Sequence, residues 1–134
     1  MIESFGVKSS AREELIDITE TVNTIVMRSS PGEGVCIIYT PHTTAAITIN
    51  ENADPTVQRD ILTQLDKMIP PSGDYRHAEG NSPAHIKASL MGSSVTVIVA
   101  GGDLQLGKWQ GIYLCEFDGP RRRRVQVKII EGSC

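Results

Sequence analysis

The three histidines, His42, His77 and His85, are the side chains best suited to acid–base or ligand chemistry. None lies in the middle of an apolar run. His42 is in TPHTTAAITIN, and His77 and His85 are in YRHAEGNSPAH, among glycine, proline and asparagine joints. A lone histidine is ordinarily a solvated or hydrogen-bonded surface residue, but three at chain breaks suggest a site. His77 and Glu79 are two residues apart in a polar loop. Two imidazoles with a carboxylate or a third imidazole, and one open position, make the ligand set of a catalytic zinc centre. His42, His77 and His85 are therefore the candidate metal ligands, although their spacing matches no standard metal motif. His85 falls in the first turn of a helix that starts at Ser82-Pro83. Free backbone N–H groups and the positive dipole end there favour an anion and keep a nearby imidazole neutral. A neutral imidazole is a metal ligand or a general base.

Carboxylates and arginines supply the remaining polar chemistry. Asp54 has a structural role as a helix cap, and Asp60 reads as a solvated helix residue. Glu51 has no evident structural role and suits a Mg²⁺ bridging protein carboxylate to substrate phosphates. In GPRRRRVQVKII, strand parity splits the arginine run. Arg121 and Arg123 share a face with Val125, Val127 and Ile129, while Arg122 and Arg124 share the solvated face with Gln126 and Lys128. A buried charge without a partner is very costly. Arg121 and Arg123 must therefore meet carboxylates, a subunit neighbour or a bound phosphate, which the guanidinium fork fits in two-point contact.

The elements that position these residues are punctuated clearly. Residues 2–8 and 12–18 read as two strands joined by a polar turn. Thr19 can cap a helix over about 20–30, whose apolar face holds Val22, Ile25 and Val26. Val35 to Thr40 is a continuous apolar run, the pattern of a strand covered on both sides. After Pro41, Thr44 to Asn50 forms another strand, with His42, Thr44, Thr48 and Asn50 on one face and Ala45, Ile47 and Ile49 on the core face. Asp54 as N-cap and Pro55 at the first position start a helix with Val57, Ile61, Leu65 and Met68 on one face, and Pro70-Pro71 ends it. Ser82-Pro83 starts a shorter helix that Gly92 terminates. Val95 to Ala100 reads as a buried strand. Gly101-Gly102-Asp103 turns the chain into a short link, Leu104 to Lys108. Gly111 to Phe117 and Arg121 to Ile130 are strands joined by Asp118-Gly119-Pro120. Strands cluster at both ends with most helix between them, which is an α+β pattern in one compact domain, residues 1–134, with two to three helices and mixed or antiparallel sheets.

Composition narrows the function classes. A chain of 134 residues can bury a sizeable core, and its formal net charge of −3 gives no global field for a polyanion, which argues against nucleic acid as main partner. No apolar run of about 18 residues is present, and the N-terminus lacks signal-peptide features, so a cytosolic location without membrane association is expected. Cys36, Cys115 and Cys134 fit no metal spacing. Cys36 and Cys115 sit in apolar runs and read as buried small hydrophobes, and Cys134 as exposed.

Laid out in this way, HTTAAITINENADP, YRHAEGNSPAHIKASLMGSS and LGKWQGIYLCEFDGPRRRRV resemble the YjbQ-like family of small proteins, also called secondary thiamine-phosphate synthases. The resemblance runs through nearly the whole chain. It implies an α+β fold that assembles as a compact trimer, with histidines, asparagines and an arginine lining the functional clefts, and zinc or magnesium as a candidate cofactor. The implied reaction joins a hydroxymethylpyrimidine diphosphate to a thiazole phosphate and releases pyrophosphate. On that reading Arg121, with a metal or the Ser82 helix start, binds the diphosphate, beside Arg123 and Glu51. His85 or His77, with Glu79 nearby, holds metal or donates a proton to the leaving oxygen. Asn50 and Asn81 orient the substrate, and Trp109 either stacks on the pyrimidine or packs in core or interface. The dedicated enzyme for this reaction is a (β/α)₈ barrel of about 200 residues or more, too large for this chain. The alternative is a non-catalytic trimeric protein that binds a phosphorylated metabolite or a pathway partner.

Overall fold

The structure, a computed structural model, describes residues 2–29 and 31–132. β1 (Ile2–Lys8) and β2 (Glu14–Asp17) lead to α1 (Thr19–Ser29), followed by β3 (Gly34–Tyr39) and β4 (Ala45–Glu51). Next come α2 (Pro55–Met68) and α3 (Ser82–Met91), then β5 (Ser94–Ala100), β6 (Asp103–Leu104), β7 (Gln110–Glu116) and β8 (Arg122–Glu131). The strands form two sheets, ordered β1-β8-β3-β5-β6 and β2-β7-β4. All their pairings are antiparallel. The class is the expected α+β.

The layers follow from which residues are apolar. The main core joins Cys36, Ile38, Val97, Val99, Val125 and Val127 of the larger sheet to Ala45, Ile47, Ile112 and Leu114 of the smaller one, with Val22, Ile25 and Val26 of α1. A second core lies where Ala46, Cys115 and Phe117 meet Leu65 of α2 and Ala84 and Ala88 of α3. The smaller sheet is thus covered on both faces, and its central strand β7 is buried from Gly111 to Glu116. Burial pushes the thiol of Cys36 up to about 11 and that of Cys115 up to about 12. Cys134 lies outside the described residues.

Helix starts obey local chemistry. Asp54 accepts the Thr56 N–H at 3.0 Å and the Thr56 hydroxyl at 2.7 Å, satisfying one free amide of α2, a cap worth about 1 kcal/mol. Thr19 is not the cap of α1. Asp17 accepts its N–H at 2.9 Å, and the Thr19 oxygen accepts the Ile112 N–H at 2.8 Å, tying α1 to β7. On α2 the buried stripe uses Ile61, Leu62 and Leu65, and Met68 is exposed.

Several strand expectations change at the tertiary level. β1 pairs with β8 and β2 with β7, so the polar turn between β1 and β2 connects two sheets. The Asp118-Gly119-Pro120 turn is likewise a corner between sheets. A Cβ on Gly119 would stand 2.3 Å from the Ala11 carbonyl oxygen, so glycine is required by close backbone approach. β3 and β5 are covered on one side only. Ile98 is 64% exposed and Tyr39 38% exposed, because no described element lies over the outer face of the larger sheet. The face of β4 expected to be polar carries Ala46 into the second core. Gly101 and Gly102, both at positive φ, make the tight β5–β6 hairpin at the expected turn.

Candidate functional site

The break at Pro41 creates the centre of the site. β3 pairs with β8 as far as Tyr39 opposite Gln126. Beyond that, proline has no N–H to continue the ladder. Two side chains take over for Arg124 of β8. The Thr40 hydroxyl donates to the Arg124 carbonyl at 2.9 Å, and His42 Nε2 accepts the Arg124 N–H at 3.0 Å. His42 is thereby fixed over the ends of β4 and β8. Burial, then the Arg123 and Arg124 cations, hold it below the usual imidazole range, with Glu116 opposing them.

Beneath it lies a buried ion pair. Arg123 donates from Nε to Glu116 Oε1 at 2.9 Å and from a terminal nitrogen to Glu116 Oε2 at 2.5 Å. The same nitrogen reaches the Thr44 hydroxyl at 2.8 Å. Ser9 and the Asp118 N–H complete the carboxylate's hydrogen bonds at 2.7 and 2.9 Å. Burial by itself would raise Glu116, but the hydrogen bonds from Arg123, the Asp118 N–H and Ser9 outweigh it and hold the carboxylate below its ordinary value. Of the two arginines that parity turned inward, only Arg123 is buried, with Glu116 as its partner, because the strand begins at Arg122 and alternation does not govern Arg121. Arg121 precedes β8, and its half-exposed side chain holds Asp118 at 2.8 Å.

α3 brings His85, and the loop before it brings His77. Asn81, at its cap position, donates its amide to Asp118 Oδ2 at 2.8 Å instead of capping the helix. His85, one turn on, meets His77 edge-to-face with ring centroids 5.2 Å apart. Glu79 lies 3.9 Å from His77 Nε2. His42, His77 and His85 line one cleft of about 280 Å³ with Glu79, Asn81, Arg121 and Arg123. His85 also lines two adjoining clefts. One of about 410 Å³ carries His42, Thr43, Ser89 and Ser93. The other, of about 490 Å³, carries Tyr75, His77, Ser82 and Ile86.

Of the residues singled out in the sequence, His42, His77, Glu79, Asn81, Ser82, His85, Arg121 and Arg123 gather here. Asn50, Glu51 and Trp109 do not. Register places Glu51 opposite Gln110 and Ala45 opposite Glu116, so these three sit at the far end of the β4–β7 pair, six residues or about 20 Å along the strand. The Glu51 backbone carbonyl accepts the Tyr113 hydroxyl there at 3.1 Å. Trp109 is 55% exposed beneath Lys108, whose Nζ is 5.0 Å from the ring centroid. Glu116 and Asp118 were missed as site residues. The signal for Glu116 was a lone carboxylate inside the apolar run GIYLCEF.

Among the described residues no group of three or more His, Cys, Asp or Glu side chains is placed to hold a metal ion. The donor chemistry gives the reason for His42. Its Nε2 lone pair already accepts a backbone N–H. Three histidines share a cleft without forming a ligand set among the described residues.

The architecture and cleft define a class of small α+β proteins in which a histidine- and arginine-lined cleft lies at the joint of two antiparallel sheets. The chain belongs to the UPF0047 YjbQ-like family, whose profile matches residues 3–132. UPF0047 protein MJ1081 of Methanocaldococcus jannaschii is 52% identical over 97% of this chain and 94% of its own length. UPF0047 protein YugU of Bacillus subtilis is 48% identical over 97% and 99%. A crystal structure of a family member from Clostridium acetobutylicum superimposes with a TM-score of 0.94 at 58% identity, covering 96% of this chain and 99% of that one. A YbjQ-like protein of unknown function from Sulfolobus solfataricus gives 0.95 at 36% identity, covering 98% and 97%. No described helix is long and apolar enough to cross a membrane.

Proposed function

We propose that the cleft is the active site of a transferase acting on a phosphorylated small molecule, and that its reaction joins a hydroxymethylpyrimidine diphosphate to a thiazole phosphate. The observation that carries this reading is the convergence of three imidazoles with Arg121, Arg123 and Asn81 in one small cleft. The bond from methylene carbon to diphosphate oxygen breaks, the electron pair leaving with pyrophosphate. The thiazole nitrogen lone pair forms the new C–N bond. Catalysis then consists of holding the leaving group and aligning the reactants. Arg121 has a half-exposed guanidinium to meet the diphosphate. Arg123, neutralised by Glu116, contributes direction more than net charge. His85 or His77 supplies a proton to the leaving oxygen. The chain acts as a homotrimer on this reading, with copies meeting on the uncovered face of the larger sheet. Val35 there lies between Ile98 and Ile130 in a row across three strands.

Pyrophosphate release with both substrates tests the reading. Arg121→Ala and His85→Ala are each expected to lower kcat/KM by about 100-fold. An unchanged rate in both variants overturns it. Diphosphate binding without turnover would replace it with the non-catalytic binding protein.

A further inference from the structure

His42 makes a contact that restricts what its ring can do. Its Nε2 accepts the Arg124 N–H at 3.0 Å, in the place where a strand carbonyl would stand had Pro41 not ended β3. An imidazole nitrogen that accepts a hydrogen bond carries no proton, so in the neutral ring the proton is on Nδ1. Protonating Nε2 would set N–H against N–H and release β8 from its only side-chain acceptor at that position. Nδ1 makes no hydrogen bond to a described residue, and His42 lines both the 280 Å³ and the 410 Å³ clefts. The charged groups around these clefts are Arg121, Arg123 and Arg124, with Glu79 and Glu116 opposing them, and His77 and His85 across the space.

We propose that His42 is a fixed neutral hydrogen-bond donor to an oxyanion ligand, offering Nδ1–H while the Arg124 backbone holds the ring. This rests on the phosphorylated-substrate reading and assigns His42 a role distinct from metal ligand or general base. His77 and His85, whose nitrogens make no such backbone contact, are left as the proton carriers. The ligand class is a phosphate or diphosphate oxygen bound by a neutral donor beside Arg121.

The test is nitrogen-15 NMR of the histidine rings in the full chain at neutral pH, with and without inorganic pyrophosphate. The expected spectrum has His42 protonated at Nδ1 and bare at Nε2, with the Arg124 amide protected from exchange. Pyrophosphate should move the Nδ1 resonance more than Nε2. His42→Asn, which keeps a donor near the Nδ1 position, should retain pyrophosphate binding within about threefold, whereas His42→Leu should weaken it by about tenfold or more, as loss of one hydrogen bond to a charged group implies. A proton on Nε2 overturns the proposal, and so does bound pyrophosphate that leaves Nδ1 unmoved. Absence of pyrophosphate binding in the wild-type chain overturns the phosphorylated-substrate reading as well, so the two failures are distinguishable. If neither variant folds, the wild-type spectra alone decide.

Discussion

Of the four consecutive arginines only Arg123 is buried, and it is buried against Glu116. The pair is enclosed by Ser9 and Thr44, so removing one member strands the other. Glu116→Gln is expected to cost about 3–5 kcal/mol by urea denaturation, and the Glu116→Gln/Arg123→Met double variant less than the sum of the singles. The same carboxylate sets an acid limit. Its folded pKa is depressed. Its contribution is therefore complete above the ordinary carboxylate range and is lost as pH falls through the folded value. His42, also depressed in the fold, adds a loss that begins as pH drops below about 6.5. Stability measured from pH 8 to 4 should fall with decreasing pH, and Glu116→Gln should flatten the lower part of that fall. A wild-type profile that rises toward acid would contradict both assignments.

At the scale of elements, α3 carries His85 into the site, and one buried cation fixes the helix. Lys87 is 1% exposed and reaches Glu13 at 2.5 Å, and also Asp66 of α2. Burial raises Glu13, with Lys87 opposing, whereas the Lys87 hydrogen bond lowers Asp66. This side chain therefore clamps α3 to α2 and to the β1–β2 connection, two residues along the helix from His85. Lys87→Met is expected to destabilise the chain by about 2–3 kcal/mol, less than a fully enclosed pair because Asp66 is half exposed. It should also raise amide exchange through residues 82–91 more than in β7. Uniform exchange would show that α3 is held by its apolar contacts with Ala46 and Phe117 alone.

At the scale of the whole molecule, the uncovered sheet face is where the proposed homotrimer would meet. Val35, Ile98 and Ile130 make an apolar row there with Tyr39 nearby, the kind of patch that association would bury. Light scattering should give three times the 14.6 kDa chain mass. Ile98→Lys should yield monomer with an unchanged circular dichroism spectrum, since Ile98 is already 64% exposed in the single chain. A trimer that survives Ile98→Lys would place the interface elsewhere.

Local chemistry was sufficient for much of this. Asp54-Pro55 and Ser82-Pro83 start helices, Gly101-Gly102 turns a hairpin, and alternation along β8 sends Arg123 inward. Those rules act over a few residues, so they are legible wherever the residues stand. Parity showed that Arg123 needs a carboxylate, a subunit neighbour or a phosphate, but it could not choose among them or name Glu116, which faces it across the corner between sheets. Nor could it show that Asn50, Glu51 and Trp109 stand about 20 Å from the histidines, because both ends of β4 look equally polar in sequence. Only the tertiary structure decided those matters, along with the contact of His42 with a backbone amide 82 residues away. Strand partnership is a long-range choice made by burying two sheet faces together, and no local pattern encodes which strand comes to lie alongside.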